Sequence, residues 1–150
     1  MSKKKPAFGA RIAEASKEPR ISPEAAKTPD ERRPAWRFQI LDLDGPWSWS
    51  NVPDAALLHA IRDRLRNYES MTWREIKQND NSGSHAIPID RLCLEAQKRL
   101  MALKQDDAAT LFSLRINQKQ RVWGIRDEHI FRILWWDPEH TVCPVAKRHT

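Results

Sequence analysis

The stretch LFSLRINQKQRVWGIRDEHIFRILWW, residues 111–136, contains three apolar runs separated by short polar breaks. Apolar and polar residues alternate in LFSLRI, and RVWGIR and the aromatic-rich HIFRILWW follow it. That period of two, with those residue types, predicts strands. NQKQ reads as a hairpin turn, and only Asp127-Glu128 separate the second run from the third. Three strands joined so closely form an antiparallel meander.

Working upstream, the period changes. DRLCLEAQKRLMALK, residues 90–104, places Leu92, Ala96, Leu100 and Leu103 on one stripe and predicts an amphipathic helix that Asp90 can cap. The polar loop NDNSGSHAIP precedes it. PDAALLHAIRDRLRNYES, residues 53–70, predicts another helix, with Leu57, Leu58, Ile61, Leu65 and Tyr68 at helical spacing and Pro53-Asp54 at its start. MTWREIKQ adds a short helical turn. Trp36, Phe38 and Ile40 alternate with Arg37, Gln39 and Leu41, so the folded part is expected to open with a half-buried strand, closed by Asp44-Gly45-Pro46. The expected fold is α+β in the order β-α-α-β-β-β. It is a small, antiparallel-rich sheet with two helices on one face and the other face open.

Residues 1–35 differ in kind. They hold five of the ten prolines, nine Lys/Arg against five Asp/Glu, and almost no large apolar side chains. Such a segment buries too little surface to offset its ordering entropy, so a disordered, basic, Pro-rich arm is expected there, with a short helix near Ala10–Lys17 marginal by itself. Residues 36–150 then form one domain. Most of the net charge of +6 sits in the arm, and a basic chain suits phosphate contacts.

No apolar run approaches the roughly 20 residues that span a bilayer, and MSKKKPAFGARIAEAS lacks the apolar stretch of a secretory signal. Cys93 and Cys143 alone make no disulfide framework. These features predict a cytoplasmic protein without a membrane partner. His140, Cys143 and His149 lack a second Cys/His pair at structural-zinc spacing, so no metal is expected. A P-loop, a dinucleotide fingerprint and a nucleophile motif are also missing, and no cofactor is expected.

The order of elements, with Leu114-Arg115, then Arg121-Val122-Trp123, then Asp127-Glu128 and the apolar run Ile130–Leu134, resembles the RelE/ParE-like superfamily of toxin–antitoxin systems. Residues 88–136 carry the resemblance, and residues 36–87 match by element order. The resemblance implies a toxin-like endoribonuclease of the mRNA interferase type, acting on RNA at the ribosome and held in check by an antitoxin protein. It also implies attack of a ribose 2′-hydroxyl on the adjacent phosphate. That reaction needs a base, a cation beside the phosphorane oxygens and an acid for the leaving oxygen.

Four residues are candidates for these catalytic roles. Arg115 and Arg121 match superfamily arginine positions and offer guanidinium forks to phosphate; the alternative is pairing with Asp106, Asp107 or Asp127. His140, just past the last strand, is a candidate acid or base, with Asp137 or Glu139 to orient it; the alternative is an exposed turn residue. His85 lies in a glycine-bearing loop that can reach an active face or simply face solvent. For RNA binding the candidates are Trp123, Arg126, Trp136, Lys147 and Arg148, the tryptophans as stacking platforms and the tail as a backbone contact. Core packing is the competing role for the tryptophans. A non-catalytic module binding protein or RNA on the open sheet face is the alternative to an enzyme.

Overall fold

The computed structural model describes residues 27–78 and 83–144. The arm through residue 26, with its expected helix, and the candidates Lys147 and Arg148 lie outside the described residues.

The chain is α+β, with a five-stranded mixed sheet and three helices. The elements are β1 (Ala35–Arg37), α1 (Ala55–Glu69), α2 (Trp73–Gln78), β2 (His85–Pro88), α3 (Leu94–Ala102), β3 (Thr110–Arg115), β4 (Arg121–Asp127) and β5 (Ile130–Asp137). Spatial order is β1-β5-β4-β3-β2, antiparallel throughout except that β1 runs parallel to β5.

The meander forms as its alternation predicts, with one irregularity. Trp123 pairs with Trp135 and Gly124 with Ile133, so Leu134 is a bulge residue. The extra residue turns Leu134 and Trp135 to the same face, while Ile133 and Trp136 point to the other. Gly124 sits where the strands close up: a Cβ there would collide with the Phe131 ring and the Arg132 carbonyl. Only glycine fits.

Three expectations change. First, the loop before α3 contains a strand: His85–Pro88 pairs with Thr110–Ser113 at the sheet edge. The order is therefore β-α-α-β-α-β-β-β. HAIP is too short and too polar to announce a strand, and its proline is tolerated because β2 is an edge. Second, the first strand ends at Arg37 instead of running toward Asp42. Asp42 is buried and ties the following loop to the core. Its amide donates to the Leu134 carbonyl at 3.0 Å, and its carboxylate accepts from Arg99 Nε (2.9 Å), Arg99 Nη2 (2.7 Å) and Trp135 Nε1 (2.9 Å). Burial raises this carboxyl, but the hydrogen bonds from Arg99, Trp135 and the Asp44 amide outweigh it and hold its pKa below the ordinary value. Third, the helices do not share a face. α3, Trp47 and Val142 cover one side of the sheet; Ile61 and Tyr68 of α1 with Trp73 and Ile76 of α2 cover the other. No open sheet face exists among the described residues.

Two local boundaries also move. Residues 29–35, grouped with the arm by composition, pack on the body: Trp73 donates its amide to the Arg32 carbonyl, and Asp30 pairs with Lys77 at 2.7 Å and with Arg126. α3 starts later than expected because residues 89–91 form a 3-10 turn. Its cap is Cys93, whose Sγ accepts from the Ala96 amide, and not Asp90. α1 is capped as predicted, Asp54 accepting from the Leu57 amide at 2.8 Å.

Candidate functional site

β2 and β3 pair so that His85 lies opposite Ser113, and the turn after β5 brings His140 beside them. The cleft between has a volume of about 420 Å³; His85, Ser113, Arg91, His140 and Cys143 supply its functional groups, and Ile87, Pro88 and Pro144 its apolar walls. Residues far apart in sequence meet here because the chain leaving β5 returns to the segment that follows edge strand β2, where the Cys93 amide bonds the Val142 carbonyl and Cys143 bonds the Arg91 carbonyl.

The exit from β5 is fixed by Asp137. Fully buried, it accepts from the Thr141 amide (2.9 Å), the Val142 amide (3.0 Å), Trp123 Nε1 (3.1 Å) and the Thr141 hydroxyl (3.3 Å). Trp47 Nε1 donates to the same hydroxyl at 2.9 Å, and the Cys93 amide reaches the Val142 carbonyl. His140, half-buried, sits inside this tied turn with φ 60°, the left-handed region. Histidine is among the few non-glycine residues enriched there, and such backbone conformations persist where the surroundings enforce them. Asp137 thus acts on His140 through the backbone. The expectation that its carboxylate orients the imidazole is corrected, since that carboxylate is committed to other donors. Glu139 points elsewhere too, pairing with Lys119 at 2.8 Å.

The two predicted arginines separate. Arg115 and Arg121 stand directly opposite each other in the ladder. Arg121 is only 8% exposed, and its Nη1 donates to the carbonyls of Asn117, Gln118 and Gln120. Burial, then the like charge of Arg115, pull its pKa below the ordinary value. This guanidinium closes the β3–β4 turn from within, so the phosphate role expected for it is corrected to a structural one. Arg115 is half-buried, two residues along β3 from Ser113 and so on the same side of the sheet, its Nε donating to the Asn117 carbonyl at 3.0 Å.

The expected stacking platforms are core. Trp123 is 0% and Trp136 1% exposed, on opposite faces. Neither presents a ring to a base. Arg126 is likewise engaged: it pairs with Asp30, donates to the Glu128 carbonyl at 2.7 Å and lies over the Trp73 ring, 4.5 Å from its centre. Its RNA-binding role is replaced by a tie between residues 29–31, α2 and β4.

Arg91 and Ser113 were not singled out by sequence, and Cys143 was weighed only as a zinc or disulfide partner. Arg91 lies in the 3-10 turn before α3, exposed, with no ion pair among the described residues. Nothing in IPIDRLC distinguishes it from a surface arginine. Cys143 is no primed nucleophile: burial pushes its thiol up, and its S–H donates to the Arg91 carbonyl at 3.5 Å. Among the described residues no cluster of three metal-ligating side chains occurs, and no helix is long and apolar enough to cross a membrane. No protein-family model, curated protein or solved structure matches this chain.

Proposed function

We propose that the chain is an endoribonuclease that cleaves RNA by attack of a 2′-hydroxyl on the adjacent phosphate, with His85 and His140 as its acid–base pair. The observation carrying this reading is that His85, His140 and Arg91 line one cleft, the arginine without a carboxylate partner among the described residues. Such cleavage needs one group to take the 2′-proton and another to protonate the 5′-oxygen, and two histidines lining one cleft can divide these roles. Arg91, with Arg115 along β3, provides positive charge for the phosphorane oxygens. Ile87, Pro88 and Pro144 offer apolar surface for a base. The toxin-like setting, with a ribosome-bound message as substrate and an antitoxin as partner, rests on the family resemblance and is proposed on that ground.

The test is cleavage of messenger RNA, free and ribosome-bound, by purified protein. A product ending in a 2′,3′-cyclic phosphate is expected, and 2′-O-methylation at the cut site should block the reaction. His85→Ala and His140→Asn should each lower the rate by about 10²-fold or more, with unchanged circular dichroism; asparagine preserves the left-handed backbone at position 140. Undiminished cleavage in both folded variants would refute the assignment of the pair. Intact RNA under every condition would refute the nuclease reading.

A further inference from the structure

On the side of the sheet opposite the histidine cleft, a second concavity runs along α1. Its floor is Ile61, Leu65 and Ile133, and its far wall is Trp36, Leu41 and Trp49; its volume is about 560 Å³. Leu58 and Phe38 form its lips, 50% and 67% exposed. The lining is apolar apart from Arg62, Arg66 and Glu69 along the α1 rim.

We propose that this groove binds an apolar molecule bearing one carboxylate, of the fatty-acid class. Volume and length suit a small, elongated ligand. The α1 residues that line it run from Leu58 to Glu69, about 16 Å at 1.5 Å per residue. The volume also falls in the range of small-molecule sites, roughly 300–1,000 Å³.

Charge selects the head group. Arg62 and Arg66 stand one turn apart on the rim. Arg62 shares its Nε with neighbouring Asp63, whereas Arg66 makes no ion pair or hydrogen bond among the described residues. A carboxylate entering between them gains charge-assisted hydrogen bonds. The same rim disfavours the chain's own basic arm as occupant, since residues 1–26 hold six Lys/Arg against three Asp/Glu. Trp47, Trp73, Trp123 and Trp135 each give their indole N–H to an oxygen, but the buried N–H groups of Trp36 and Trp49 have no acceptor. Both tryptophans line this groove and add to its apolar wall.

The experiment is calorimetric titration of the full chain with dodecanoate below its micellar concentration, alongside dodecanol and dodecyltrimethylammonium. One saturable site is expected, with dodecanoate bound at least tenfold tighter than the cation. Arg66→Gln should weaken dodecanoate about five- to tenfold and leave dodecanol unchanged. Leu58→Glu should abolish binding, and a brominated dodecanoate should quench less fluorescence in Trp49→Phe than in wild type. Absence of a saturable site in folded protein would overturn the proposal, as would equal dodecanoate affinity in an Arg62→Gln/Arg66→Gln variant. Sedimentation showing a dimer that Leu58→Glu dissolves would also overturn it, by assigning the groove to a second copy. Because groove and cleft lie on opposite faces, binding is measured without reference to RNA cleavage.

Discussion

On the histidine side of the sheet, Trp123 and Trp135 give their indole N–H groups to buried carboxylates, Asp137 and Asp42. On the groove side, Trp73 gives its N–H to the His129 carbonyl, and those of Trp36 and Trp49 find no acceptor among the described residues; ring contacts occur on both sides, Trp47 against Trp135 on the first and Trp36 against Phe131 on the second. The two sides bury similar residue types by different physics. A carboxylate-anchored tryptophan has one position, because moving it strands a buried charge. A ring held by dispersion and quadrupole contacts shifts at small cost. The buried carboxylate anchors lie on the side proposed for bond-breaking chemistry.

The largest expected break in this comparison is Asp42→Ala. It strands the Arg99 guanidinium and the Trp135 N–H and frees the loop from β5, so urea unfolding should show a loss of about 3–5 kcal/mol, the cost of breaking a buried pair. A loss below about 1 kcal/mol would show that the carboxylate is not the anchor. The matched pair Trp135→Phe and Trp49→Phe comes next. Both remove an indole, but only the first removes a hydrogen bond to a charged group, so it should cost about 1.5–3 kcal/mol more. Equal losses would erase the distinction between the sides.

The smallest effect is in acid. Asp42 is held low as described, and the Asp30 carboxyl is held below its ordinary value by hydrogen bonds from Lys77 and then Arg126. Folded values therefore lie under the unfolded value of about 3.9. Their stabilisation is complete above that pH and disappears as pH falls through the folded values. Urea midpoints should fall below about pH 4, and less steeply in Asp42→Asn. A midpoint that falls equally in both proteins would assign acid sensitivity to other carboxylates.

The meander and α3 were legible because their apolar residues recur at the period of the element they form. β2 was not, because an edge strand of four residues ending in proline borrows its conformation from β3. The second helical layer escaped for another reason: alternation says that a strand has two faces but not what covers each. At the site, His85 and His140 stood out as residue types, whereas their meeting depends on β2 and on the Asp137 turn. Arg121 misled because its position suits phosphate, while its guanidinium folds back onto three carbonyls of its own hairpin. A sequence shows a donor but not the nearest acceptor.

The parallel pairing of β1 with β5 has a kinetic consequence. Ala35 pairs with Ile130, and Asp42 reaches Trp135 across 93 residues of chain. Loop closure on that scale makes for slow folding. During synthesis α1 and α2 emerge long before Phe131 and Ile133 exist to receive them, so a nascent chain halted before β5 displays its apolar helical surfaces bare. Neither Trp36 nor the Asp42 loop finds its seat until the last strand is made, and the histidine cleft is completed later still, by residues beyond that strand. A chain ending before β5 therefore lacks both the seat for Trp36 and the turn that carries His140.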